Sequence, residues 1–362
     1  MMTTRVLLLA GFMLASGPLI AYLSPEFAVD STLPIYSGGL GVLAGDHIKE
    51  ASDLALPLVG VSFIYSKGYF HQRLLPDGWQ QAMDEEMRWL ETPLRPVLDK
   101  DGRRLTVAVP LGDHEVAVGA WRLAVGRSIL YLLDTDLPEN RPEDRELSAK
   151  LYPGHPETQL KQHVVQGIGA VRLLAALAVR PEVWHANEAH TGFFLIERIR
   201  EGIAQGRTFE DAAARAGKAT VFTTHTPLMH GSARFPGGLV AQMLEPYFSM
   251  LGVDRERFLD LGALPGDPGT FILAALLLRL AGRANAVSRR HGEVAREMWR
   301  PLWPERDPAA APIMHVTNGV HLPTWISGEL YGLFKRHIGP DWVDRHDDEM
   351  LWRLLDAIPA EE

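Results

Sequence analysis

Ser37-Gly38-Gly39-Leu40-Gly41 is the first place in the chain where residue type and spacing suggest chemistry. A glycine loop that opens a helix presents backbone N–H groups that lack intrahelical partners and point along the positive end of the helix dipole. Such groups suit a phosphate or a carboxylate, so Gly38, Gly39, Leu40 and Gly41 are candidate phosphate- or substrate-binding positions. The same glycines could equally serve chain geometry alone. A second group lies downstream. His225 and Thr226 follow the β-branched run Ala219–Thr224, and Asn187, Glu188 and His190 follow Val183-Trp184-His185-Ala186. Imidazole, carboxamide, carboxylate and hydroxyl groups at strand ends can hydrogen-bond a polyhydroxylated ligand, although Asn187 could instead cap a helix. A metal reading of His190, His225 and His230 fails on spacing, since they form no H-x-x-x-H or H-E-x-x-H pair and the chain has no cysteine. No metal site is expected.

Other chemistries are excluded more simply. Gly39-Leu40-Gly41-Val42-Leu43-Ala44 satisfies the bare G-x-G-x-x-A pattern, but it does not directly follow a strand. The next apolar run ends Tyr65-Ser66-Lys67, with no acid to grip a ribose, so a nicotinamide dinucleotide is not expected. No serine nucleophile elbow or Walker loop is present. Without cysteine there is no disulfide framework and no thiolate nucleophile. A net charge of −9 over 362 residues, with no basic run, argues against a nucleic-acid partner. Hydrophobic content of 46% and charged content of 22% are ordinary for a soluble globular protein. Arg5 and the apolar run from Val6 to Gly17 resemble the n- and h-regions of a signal peptide. A buried N-terminal segment or a start codon placed upstream are the other readings, and a cytoplasmic protein is the expectation. Pro18 weighs against a membrane-spanning helix from Val6 to Leu23.

The elements that must position these residues alternate. Leu19–Leu23 reads as a first strand, Val42–Leu54 as a helix, and Leu58–Tyr65 as a strand. Gly68–Trp89 suggests a hairpin or loop over a cleft, and short alternating runs at 105–109, 115–121 and 128–133 suggest a small β-rich insertion spanning about 66–133. The proline-rich stretch from Leu137 to Glu157 reads as a long surface loop. A strong helical period from Thr158 to Ala178 precedes two strand-helix units, with further helices at 270–282 and 289–300. This alternation implies a parallel sheet with ligands at the carboxyl ends of its strands.

Taken together, several segments resemble the α-glucan (glycogen, starch or maltodextrin) phosphorylases, particularly the shorter bacterial and archaeal type. They are Ile20–Phe27, Leu33–Asp46, Gly68-Tyr69-Phe70, Asp77-Gly78-Trp79, Val183–His190, Thr223–Pro227 and Val316–His321. The resemblance implies an α/β fold of the GT-B type, with residues 19–325 as its N-terminal Rossmann-like domain. Residues 1–18 would be an atypical apolar segment, and 326–362 a helical segment leading to a second GT-B domain absent from the chain. It implies reversible phosphorolysis of α-1,4-glucan to glucose 1-phosphate with pyridoxal phosphate, whose lysine would lie in that missing domain. By the same analogy His225 contacts the sugar at the cleaved bond and is the catalytic candidate, while Asn187, Glu188, His190 and Thr226 lie near the sugar pocket. Gly38 to Gly41 face the phosphate, and Leu137–Glu157 gates the cleft. Expected partners are α-1,4-glucan, phosphate and glucose 1-phosphate, and the second domain, with neither nucleic acid nor membrane; a homo-oligomer of the full-length protein stays open.

The sequence departs from the family pattern at Phe271-Ile272-Leu273, which lacks the usual Asn, and at Gly231-Ser232-Ala233, which lacks an acid. These departures bear on local polar contacts; because the resemblance puts the cofactor lysine in the missing second domain, the chain alone is expected to be incomplete and inactive. Two other readings remain. One is a nucleotide-sugar-dependent GT-B glucosyltransferase of the glycogen synthase kind, against which Ile35-Tyr36-Ser37 stands where a lysine is usual. The other is a non-catalytic glucan-binding remnant.

Overall fold

The computed structural model describes residues 17–84 and 86–359, so the N-terminal apolar segment, apart from Gly17 and Pro18, lies outside the described residues. The chain divides into two compact units, Met1–Asn318 and Gly319–Glu362. In the smaller unit, Ile338, Trp342 and Leu351 form a core of their own, beside the helix Gly328–His337.

The larger unit is built on a mixed, mostly parallel sheet. Its first strand, β1 (Ile20–Leu23), leads through a loop into α1 (Gly39–Asp53) and then β2 (Leu58–Phe63), every residue of which is buried. The expected hairpin forms as β3 (His71–Leu74) and β4 (Gln80–Met83). Next come β5 (Arg95–Pro96), β6 (Val107–Leu111), β7 (His114–Val125) and β8 (Ser128–Asp134). Beyond them α2 (Pro156–Ala176) precedes β9 (Val183–Asn187), α3 (Phe194–Ala204), α4 (Phe209–Lys218) and β10 (Thr220–Thr224). The unit closes with β11 (Arg234–Pro236), β12 (Thr270–Ile272), α5 (Leu273–Leu280), β13 (Arg283–Ala286), α6 (Arg289–Met298) and β14 (Met314–His315).

Among the described residues the main sheet runs β14-β13-β10-β9-β1-β2-β8-β7-β5, with β6 paired to β7. All pairs from β14 to β8 are parallel, while β7 pairs antiparallel with β8, β5 and β6. The chain therefore starts in the middle, moves outward through β2 to β8, then returns to the other side of β1 as β9. Parallel crossovers are right-handed, so reversing direction at β1 places the connecting segments of the two halves on opposite faces. Ligands of such sheets bind outside the carboxyl ends of the two strands where the direction reverses, in this chain β1 and β9.

Two expectations change. The run at 128–133 is not confined to a separate β-rich insertion, because β8 is a parallel member of the main sheet and β7 extends it. Alternation alone reports a pleated strand and cannot report which sheet it joins. The stretch from Leu137 to Glu157 is only partly the expected surface loop. It buries Leu137, Asp144, Leu147, Ser148 and Leu151, and Asn140 is bound through its amide to Ala117 and Thr135. Pro142 starts a four-residue helix and Pro156 opens α2, positions where a missing N–H costs nothing.

Candidate functional site

The glycine loop is held from below by a residue that sequence reasoning did not single out. Glu26, buried just past the end of β1, accepts hydrogen bonds from the N–H groups of Ser37 (2.7 Å) and Gly38 (3.1 Å) through Oε2. Its Oε1 accepts one from the Tyr152 hydroxyl, whose pKa is pushed upward first by burial and then by the Glu26 charge. Part of the expected anion cradle is thus already occupied by the protein's own carboxylate. The N–H groups of Gly39 and Leu40 begin α1, and helix geometry leaves them without an intrahelical acceptor.

The glycines of this stretch divide by role. A Cβ on Gly41 would lie 2.5 Å from the Tyr36 Cβ, and one on Gly45 would lie 2.0 Å from the Ala28 carbonyl oxygen. These two, one turn apart, let α1 press against the 26–28 backbone, where the Ala28 N–H donates to the Gly41 oxygen at 2.8 Å. A Cβ on Gly38 or Gly39 would meet nothing within 4 Å, so packing does not require glycine there.

At the carboxyl ends of β9 and β10 the side chains interlock. Asn187 does not cap a helix. It accepts a hydrogen bond from His225 Nε2 through Oδ1 (2.7 Å) and donates from Nδ2 to Ser24 Oγ (3.1 Å), tying β10 through β9 to β1. With Nε2 donating, the neutral His225 ring keeps Nδ1 as an acceptor. Burial lowers the His225 pKa, with the Glu188 charge opposing, so the neutral form is favoured. Glu188 is buried and serves four donors: Ala189 N–H at Oε1 (2.9 Å), and at Oε2 the N–H groups of His225 (2.9 Å) and Thr226 (3.1 Å) with the Thr226 hydroxyl (3.1 Å). It adopts φ +70°, a region that favours glycine, at a cost of about 1–3 kcal/mol that its surroundings must offset. Glu188 therefore shapes the 225–226 turn, because both its oxygens already have protein partners.

A cavity of about 640 Å³ opens over this cluster, lined among others by Leu40, Tyr152, His163, Glu188, His190 and His225. Thr226 and the acid-free stretch Gly231-Ser232-Ala233 also face it. Of the sequence candidates, Leu40, Glu188, His190, His225 and Thr226 line the cavity. Asn187 stands behind them, and Gly38, Gly39 and Gly41 share the loop with Leu40 without lining it. The rings of His190 and His163 meet edge to face at 4.9 Å, and burial lowers both pKa values, that of His163 strongly. His190 Nδ1 is buried without a partner among the described residues. Ser24, Glu26, Tyr152 and His163 join the site only through folding, and no local signal marks them. Among the described residues no group of three or more His, Asp or Glu is placed to hold a metal ion, and no helix is long and apolar enough to cross a membrane.

Comparison with known proteins decides the family. The chain is 41% identical over 344 residues to the glycogen phosphorylase of Aquifex aeolicus (strain VF5), covering 95% of this chain and 49% of that protein. It is a homologue of the glycogen and maltodextrin phosphorylases. The maltodextrin phosphorylase of Thermococcus litoralis is 40% identical over 95% of this chain and 41% of its own length. The glycogen phosphorylase of Mycobacterium tuberculosis (strain H37Rv) is 44% identical over 94% and 40% respectively. The chain thus spans about half the length, or somewhat less, of the curated phosphorylases it matches. No protein-family model matches the chain.

Proposed function

We propose that this chain forms one wall of the catalytic cleft of an α-glucan phosphorylase of GT-B architecture, which converts α-1,4-glucan and phosphate reversibly to shortened glucan and glucose 1-phosphate. The observation that carries the reading is 40–44% identity to glycogen and maltodextrin phosphorylases over 94–95% of the chain. The polar cluster where the sheet reverses direction supports it with suitable chemistry. His225 offers a neutral ring fixed by Asn187, with Nδ1 free to accept from a sugar hydroxyl. Glu188 positions that ring and the Thr226 turn through its four donors. The open N–H groups of Gly39 and Leu40 are oriented donors for a phosphate, preorganised by the Glu26 contacts to Ser37 and Gly38.

The family assigns pyridoxal phosphate to this reaction, a cofactor whose own phosphate supplies acid–base chemistry when bound. Among the described residues the lining of this cavity includes no lysine, so it does not fit a Schiff-base anchor for the cofactor. The resemblance assigns that anchor to a second domain of the GT-B pair.

The test is thermal unfolding with three ligands. Glucose 1-phosphate and maltoheptaose should each raise the melting temperature, since a ligand that binds only the folded state stabilises it in proportion to its saturation. ADP-glucose should not. Stabilisation by ADP-glucose alone would move the chain to the nucleotide-sugar transferases.

A further inference from the structure

A second cavity, of about 500 Å³, lies beside the glycine loop between residues 31–37, 69–71 and 86–91. Its size is that of small-molecule sites, about 300–1,000 Å³. We propose that it is an additional α-glucan subsite, holding sugar residues remote from those in the main cleft; the proposal rests on the phosphorylase reading above.

Its aromatic lining is otherwise unexplained. Tyr36 and Tyr69 remain 42% and 39% exposed, and Phe70 is partly exposed beside them. The Tyr69 and Phe70 rings are 4.2 Å apart and inclined at 44°, forming an angled platform rather than a core contact. Around it stand groups of both signs, Glu86 and Glu91 with Arg88, the last two paired at 3.5 Å. A phosphate site would gather cations and no carboxylates. Apolar ring faces with a rim of mixed donors and acceptors instead match a pyranose, whose C–H face packs on aromatic rings and whose hydroxyls reach the rim.

Position favours a glucan over a separate ligand. Tyr36 and Ser37 lead directly into Gly38, and the Tyr69 ring meets Tyr152 edge-on at 6.2 Å. Tyr152 lines the main cavity and binds Glu26. The two cavities thus share one wall, and a longer chain seated in the first has a second platform beside it.

The experiment is calorimetric titration of the full chain with maltose and maltoheptaose, using Tyr69→Ala, Tyr36→Ala and Tyr69→Phe, with thermal unfolding confirming that each is folded. An aromatic contact of about 0.5–1.5 kcal/mol corresponds to a loss of about two- to thirteenfold. The alanine variants should weaken maltoheptaose binding by that factor and leave maltose within about twofold, and Tyr69→Phe should bind both sugars as the parent does. Folded alanine variants that bind maltoheptaose like the parent, or that lose maltose equally, overturn the subsite while leaving the main-cleft reading standing. Adenosine binding that disappears in Tyr69→Ala, without loss of maltoheptaose, assigns the cavity to a base. A parent chain that binds neither sugar overturns the phosphorylase reading, and the subsite with it.

Discussion

Glu188→Gln is the substitution that most directly tests how the site is held. The carboxylate accepts from Ala189 N at one oxygen and from His225 N, Thr226 N and Thr226 Oγ1 at the other, all at 2.9–3.1 Å and in a buried setting. A glutamine has one acceptor oxygen. If it faces the 225–226 turn, the NH₂ group meets the Ala189 N–H, donor against donor, leaving a buried N–H without a partner at about 1–3 kcal/mol. The remaining bonds lose their charge assistance, which about doubles the strength of such contacts. Relaxation and the easier burial of a neutral group offset part of this, and the net expectation is a loss of about 2–4 kcal/mol. At roughly 2–4 °C per kcal/mol for a domain of this order, the melting temperature should fall by about 5–15 °C. Maltoheptaose affinity should also fall, because the His225 ring is no longer fixed by its own backbone. The double variant with His225→Ala should lose less affinity than the sum of the two single losses, since both act through one imidazole. Thermal unfolding and calorimetric titration measure the two effects. A Glu188→Gln protein with unchanged melting and unchanged affinity would refute the assignment of Glu188 as the support of the 225–226 turn.

Three further outcomes are expected. The His185 ring donates from Nε2 to Thr223 Oγ1 and is packed against Tyr22, and burial, reinforced by His47 and His225, lowers its pKa to about 3. A histidine whose folded pKa is depressed contributes stability that is complete above its unfolded pKa of about 6.5 and is lost as pH falls below it, so lowering pH to 5 should cost about 2 kcal/mol through His185 alone. His163, His190 and His225 act in the same direction, and urea unfolding at pH 7.5 and 5 measures the sum; equal stability at the two values contradicts it. Gly41→Ala, forced to within 2.5 Å of Tyr36 Cβ, should destabilise by about 1–3 kcal/mol, whereas Gly39→Ala should melt within about 0.5 kcal/mol of the parent yet bind glucose 1-phosphate more weakly. Finally, the chain by itself, supplied with maltoheptaose, phosphate and pyridoxal phosphate, should release no glucose 1-phosphate in a coupled assay, because among the described residues no lysine lines its cavity; steady release would contradict this.

Local chemistry made much of the protein legible in the sequence. The glycine loop at a helix start, the strands that deliver Asn187 and His225, and the alternation that demands a parallel sheet all depend on residues near one another in the chain. Strand and helix periods carry that information directly. They do not say that the run at 128–133 belongs to the main sheet, because alternation describes one strand and pairing involves two. Nor did the prolines of 137–157 announce burial, since Pro142 and Pro156, which start helices, read like prolines in a loop.

What the sequence alone determined, then, was the chemical inventory and its order along the chain. Tertiary structure decided which of those groups remain free. Glu26 reaches Tyr152 across 126 positions and Asn187 reaches Ser24 across 163, and no local pattern can encode such a meeting. Glu26 also fills part of the anion cradle through Ser37 and Gly38, and the His225 ring, fixed by Asn187, is left lining the cavity with Leu40 of α1. The physical reason is that a buried polar group must find a partner wherever the fold supplies one, and only packing fixes where that is.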